Sequence, residues 1–156
     1  MDRISRAERS AMMSRIRSKN TKPERAVRSC IHRLGFRFRL HDRSLPGAPD
    51  IVLPRFRAVI QVHGCFWHRH RGCRFAYNPK SRTEFWAEKF RSNVKRDRKD
   101  VASIRRLGWR VLTVWECQTK DLARVDKRVL RFLGSRKRIS PDLPALSHVR
   151  KGGRLR

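Results

Sequence analysis

Apolar positions recur at helical spacing in three stretches of the chain. Val27, Cys30, Ile31 and Leu34 form the first stripe. Ahead of it, Asn20-Thr21-Lys22-Pro23-Glu24 supplies a capping side chain, a proline and an acid suited to a first turn, and Gly35 supplies the stop. Phe90, Val94, Val101 and Ile104, with Asp97 among them, predict a long helix from Arg82-Thr83-Glu84 to Leu107-Gly108. Leu122 to Leu133 predicts a last one. Between these the period changes to two. Phe36, Phe38 and Leu40 alternate with Arg37, Arg39 and His41, as in a half-buried strand. Asp50-Ile51-Val52-Leu53 and Ala58-Val59-Ile60-Gln61-Val62 predict paired central strands around Pro54–Arg57, and Trp109 to Trp115 predicts another. Ser44 to Pro49 reads as a turn. Helix, three strands, helix, strand, helix is the order of an α/β fold with a central mixed β-sheet flanked by helices.

The rest of the chain divides simply. Residues 1–20 read as a basic N-terminal arm, 21–133 as one domain, and 134–156 as a basic, flexible C-terminal tail with seven Lys or Arg among Gly, Pro and Ser. At 156 residues there is room for one core but hardly for two. Residues 63–83 are irregular and too long for an ordinary connection unless something holds them together. Lys and Arg number 41 against 13 Asp and Glu, a formal charge of +28, which points to a polyanionic partner. Eight Phe and four Trp exclude a merely disordered basic tail. No run approaches a signal h-region or the ~20 apolar residues of a membrane span, so a soluble, intracellular protein is expected.

Candidate chemistry gathers around the central strands. A carboxylate entering an apolar strand, as Asp50 does, is costly unless it is paired, hydrogen-bonded or metal-bound. An Asx turn capped by its own side chain is one explanation, and a Mg²⁺ ligand is the other. His63 and His68 flank Gly64-Cys65-Phe66-Trp67, where an imidazole can activate water, protonate a leaving oxygen or contact phosphate. Cys65, His70 and Cys73 give C-x4-H-x2-C, and Cys117 follows the strand ending at Trp115, a Cys₃His set of the structural Zn²⁺ type; free thiols and a surface histidine are the alternative. Cys30, on an apolar helix face, reads as a small buried hydrophobe. Phe66-Trp67 and Phe85-Trp86 lie among cations, as base-stacking or wedging aromatics do, although Trp86, Phe90 and Val94 also share core spacing.

Five blocks, Leu45-Pro46-Gly47-Ala48-Pro49-Asp50, His63-Gly64-Cys65-Phe66-Trp67-His68, Thr83-Glu84-Phe85-Trp86, Asn93-Val94-Lys95-Arg96-Asp97 and Val114-Trp115-Glu116-Cys117, resemble the very short patch repair (Vsr) endonucleases from about residue 5 to 133. The resemblance implies a restriction-endonuclease-like fold and strand nicking beside the T of a T:G mismatch left by 5-methylcytosine deamination. It also implies Mg²⁺ on Asp50 and the Val62 carbonyl, with His63, His68 and Glu24 as catalytic residues. His63 with Glu24 would handle the attacking water, and His68 would assist the leaving oxygen. Cys65, His70, Cys73 and Cys117 would hold Zn²⁺, while Phe66, Trp67 and Trp86 would wedge from the major groove and Met13 from the minor groove. The implied partners are mismatched duplex DNA, a MutL-type mismatch-repair protein and, functionally, a cytosine-5 methyltransferase. A monomer, cytoplasmic and nucleoid-associated in a bacterium, follows. The superfamily acid and Lys are replaced here by Gln61 and His63.

Overall fold

The computed structural model describes residues 19–134. The N-terminal arm up to residue 18, Met13 included, and the tail beyond 134 lie outside the described residues.

Helix α1 spans Lys22–Arg33, with Thr21 as its cap accepting from the Glu24 N–H and Pro23 in its first turn. Strands β1 (Arg39–Leu40), β2 (Ile51–Leu53) and β3 (Ala58–His63) follow. Helix α2 (Thr83–Arg106), strand β4 (Arg110–Trp115) and helix α3 (Leu122–Leu133) complete the order. The four strands lie side by side as β1-β2-β3-β4. β1 and β3 are antiparallel to β2, whereas β4 runs parallel to β3, its crossover carried by the irregular segment and α2. The expected mixed sheet with helices is what forms.

The two faces of the sheet have separate cores. Ile51, Leu53, Ile60, Val62 and Val114 pack with Val27 and Ile31 of α1 and with Val125, Val129 and Leu133 of α3. Val52 and Val59 point the other way, toward Leu45 and Ile104 of α2, with Trp109 and Val111 alongside. β3 is therefore buried on both faces, which explains why Ala58, Val59, Ile60 and Val62 are all apolar, with Gln61 between them. Cys30 is fully buried in the first core, as a small hydrophobe should be. Its thiol is pushed up to about 11, chiefly by burial.

The alternation at Phe36, Phe38 and Leu40 was expected to be a half-buried strand, and there the structure differs. Phe36 is buried and Phe38 packs on the core, but only Arg39 and Leu40 pair with β2, and Leu40 is 42% exposed. The edge strand is cut short because His41 turns the chain with φ +47, after which Asp42 accepts from the Ser44 N–H and hydroxyl in an Asx turn. The turn that follows is pinned. Gly47 has φ +70, and a Cβ there would lie 2.6 Å from Asp100 Oδ2 on α2. Only glycine permits that approach, which fixes the loop delivering Asp50 to the end of β2.

Candidate active site

Asp50 stands just before β2, opposite the end of β3. Its Oδ2 accepts from the Val62 N–H at 2.7 Å, across the sheet. The local Asx turn belongs to Asp42, so Asp50 is not explained by capping its own turn. Glu24, 3% exposed, approaches from α1, and His41 from the bend after β1. One ligand atom from each of Glu24, His41 and Asp50 lies within 4.8 Å of the others. Burial raises the Asp50 carboxyl above its ordinary range; the Val62 N–H opposes this and the nearby Glu24 carboxylate adds to it. Two carboxylates crowded in a partly buried recess is an arrangement a divalent cation relieves, and hard oxygen donors suit Mg²⁺.

The second group lies on the other face. Side chains of β3 alternate, so Val62 joins the core beneath α1 and α3 while His63 points toward α2. His63 stacks on His68, ring centroids 4.1 Å apart and planes 13° from parallel. His68 Nδ1 is 2.6 Å from Asp97 Oδ2 on α2. This carboxylate accepts from an Nδ1–H, leaving the Nε2 of His68 for other work. Burial pushes His63 down to about 4, with the neighbouring His68 adding to the effect and Asp97 opposing it, so His63 is neutral near pH 7. A cavity of about 590 Å³ bordered by His63, His68, Asp97, Arg98 and Trp115 opens beside the pair. Glu24 and His63, which the resemblance places on a common water, thus rise from opposite faces of the sheet, while Asp50 reaches the backbone between them.

The third group holds the irregular segment. Ligand atoms of Cys65, His70, Cys73 and Cys117 all lie within 4.8 Å of one another. His70 Nδ1 is 3.6 Å from Cys65 Sγ and 3.3 Å from Cys117 Sγ. A tetrahedron with Zn–S of about 2.3 Å and Zn–N of about 2.0–2.1 Å has S···N edges of about 3.5 Å, so the cluster has the dimensions of a structural zinc site. Burial pushes the Cys65 thiol up to about 12, so cation binding there must displace a proton. Trp115 connects this group to the second: it stacks on His70 at 4.3 Å and meets His63 edge-on at 5.4 Å.

Known proteins resemble this chain over most of its length. A family model described as DNA mismatch endonuclease Vsr matches residues 1–74. The type II nicking enzyme V.XorIIP of Xanthomonas oryzae pv. oryzae is 49% identical over 132 residues, covering 85% of this chain and 96% of that protein. DNA mismatch endonuclease Vsr of Escherichia coli K12 is 44% identical over 125 residues, 80% of each chain. The chain belongs to the Vsr family. A third relative, the type II nicking enzyme V.NmeAIP of Neisseria meningitidis serogroup A, is 41% identical over 132 residues, covering 85% of this chain and 94% of its own.

In this Vsr-family chain the aromatics form one patch. Phe66 sits at its centre, 5.1 Å from Trp67, 5.0 Å from Tyr77, 5.4 Å from Trp86 and 5.1 Å from Phe90. Phe90 is buried, Phe66, Trp67 and Trp86 are half-buried, and Phe85 and Tyr77 are open to solvent. Arg69 lies over the Phe90 ring at 4.3 Å and Arg82 over Phe85 at 4.8 Å. Core packing and surface display therefore coexist in the same side chains.

Three residues at the site escape sequence reasoning. Asp97 falls on the apolar stripe of α2, and an acid at a sheet-facing position is the signal that was available. His41 and Arg28 carry no such mark. Gln61 is 7% exposed, and its Oε1 has no hydrogen-bond partner among the described residues.

Proposed function

We propose that the protein nicks one strand of duplex DNA beside the T of a T:G mismatch by Mg²⁺-dependent phosphodiester hydrolysis on a restriction-endonuclease-like fold. One observation carries the reading: a carboxylate held on the Val62 N–H, one residue before a stacked histidine pair that is backed by Asp97. Family membership supports it, since relatives are named mismatch endonuclease and nicking enzymes.

Asp50, with the Val62 carbonyl, would hold Mg²⁺, which when bound supplies positive charge for the scissile phosphate and its attacking water. His68 would take the proton of the attacking water at Nε2, because the imidazolium so formed is paired with Asp97 through Nδ1; as the new P–O bond forms, the bond to the leaving sugar oxygen breaks and that oxygen takes a proton from solvent. His63, neutral and stacked against His68, holds that ring in place and offers a donor to a phosphate oxygen. The placement of Glu24 supports a role beside Asp50 rather than beside His63. Zn²⁺ in the Cys65, His70, Cys73 and Cys117 set would fix the loop bearing both histidines. Phe66, Trp67 and Trp86 would wedge beside the mismatch, which is cheaper to unstack than a sound pair. A surface with the charge of this chain binds phosphate backbone regardless of sequence.

Strand-specific cleavage of oligonucleotide duplexes carrying T:G, C:G or T:A at one position, with Mg²⁺ or EDTA, tests the reading. Nicking beside the mismatched T alone, abolished by EDTA and by Asp50→Ala, is expected. Binding without cleavage in every flanking sequence tried would reduce the protein to a DNA-binding module. Cutting of both strands in matched duplex would make it a restriction-type nuclease.

A further inference from the structure

The acidic side of the centre carries a cation of its own. Arg28 stands one turn after Glu24 on α1, its side chain 13% exposed. Its Nη2 lies 2.7 Å from Glu24 Oε2 and 3.1 Å from His41 Nε2, and its Nη1 lies 2.6 Å from Asn20 Oδ1. A guanidinium has donors and no acceptor, so the contact with His41 assigns the ring's lone pair to Nε2 and its hydrogen to Nδ1. Nδ1 is the atom that faces Asp50 Oδ1, at 3.9 Å. In this tautomer His41 has no lone pair to give a metal from that side.

Glu24 is equally committed. Its Oε2 also accepts from the Asn20 N–H at 2.9 Å, and its Oε1 accepts from the Thr21 hydroxyl at 3.0 Å. Proximity alone makes Glu24, His41 and Asp50 a three-donor metal site, but the Arg28 guanidinium stands against two of the three. Asp50 Oδ1 is the carboxylate oxygen left facing the recess, since Oδ2 is taken by Val62.

We propose that Arg28 is a built-in cation of the catalytic centre: it neutralises Glu24, keeps Glu24 and His41 out of metal coordination, and confines the divalent ion to Asp50. This rests on the reading of Asp50 as the cation ligand. Glu24 and Asp50 together carry two negative charges and Arg28 cancels one, so the free protein holds a divalent ion loosely. DNA phosphate then supplies the missing negative charge, and ion and substrate bind together. Removing Arg28 takes the charged partner from Glu24, whose oxygens then carry one neutral hydrogen bond each and keep a lone pair for a metal, and lets His41 turn its lone pair to Nδ1. The result is an oxygen, oxygen, nitrogen set that suits Mn²⁺ better than Mg²⁺. A merely structural Arg28 predicts the reverse, a loosened recess with weaker binding.

Mn²⁺ titration of the DNA-free full chain, with zinc in the Cys/His cluster and free Mn²⁺ read by electron paramagnetic resonance, separates the two. Wild type is expected to bind weakly at a site that Asp50→Ala abolishes. Arg28→Ala and Arg28→Met are expected to bind about tenfold more tightly, as loss of a nearby unit charge in a partly solvated site allows. Arg28→Lys, which keeps the charge, is expected to stay within about twofold of wild type. Melting curves establish which variants fold, and Arg28→Met keeps the apolar stem should Arg28→Ala not fold. Folded Arg28 variants that bind Mn²⁺ no more tightly than wild type, with Asp50→Ala still abolishing binding, overturn the role of Arg28 alone. Equal binding by wild type and Asp50→Ala overturns the reading of Asp50 as well.

Discussion

Replacing Asp97 by Asn leaves the size of the side chain and an oxygen able to accept from His68 Nδ1, but removes the negative charge. The contact is 2.6 Å, with the side chains 29% and 22% exposed. If His68 takes a proton in the transition state, a new ion pair forms there with its charge centres about 4 Å apart. At an effective dielectric constant near 20 such a pair is worth about 4 kcal/mol, and partial exposure to solvent reduces this to about 2–3 kcal/mol. Asp97→Asn should therefore slow nicking about 30- to 150-fold, at 1.36 kcal/mol per decade of rate. Single-turnover cleavage of a T:G duplex, with enzyme in excess and saturating, isolates the chemical step from binding and product release. The melting temperature and the affinity for uncleaved duplex should barely change, because the ground state keeps its hydrogen bond. A rate within threefold of wild type would refute the assignment of proton transfer to His68. A fall in affinity that matched the fall in rate would instead make Asp97 a binding residue.

Other outcomes follow from the same geometry. Gly47→Ala must displace the Asp100 side chain or the loop before Asp50, besides straining a residue at φ +70, and should cost about 2–3 kcal/mol of stability in urea denaturation. A loss under 0.5 kcal/mol would show that the loop relaxes freely. Chelation, or Cys65→Ser, should release one zinc per chain and expose residues 63–83 to protease before the sheet unfolds; elemental analysis finding no zinc in native protein would sink this. Phe66→Ala removes the ring on which four others rest and should lower the preference for T:G over T:A duplex at least tenfold. Reduced nicking with unchanged preference would assign Phe66 to packing instead.

The helices were legible because their signals are local. The capping of α1 by Thr21 and the stripe of α3 from Val125 to Leu133 depend on a few neighbouring residues, and tertiary packing reinforces them. β1 was overread because two ladder pairs and a bend at His41 look, in sequence, like three continuing alternations. The Cys/His cluster was legible because three of its donors share one loop. The links Asp97 to His68 and Arg28 to His41 join residues 29 and 13 positions apart, on elements whose approach only the packed sheet decides. The 3₁₀ turn over Glu116–Lys120, which carries Cys117, offers neither apolar periodicity nor a Gly or Pro mark. Charge alone pointed to a polyanionic partner, but it does not say which carboxylates do chemistry.

The interleaving of the site along the chain has a consequence for synthesis. Acids come from residues 24 and 50, the histidines from 63 and 68, the partner of His68 from 97 and the last cluster thiol from 117. A ribosome delivers these parts over most of the domain's length. β3 also lacks its parallel neighbour until residues 110–115 have emerged. A nascent chain ending before residue 110 thus carries Asp50, His63, His68 and Asp97 without the parallel strand that completes the sheet around them.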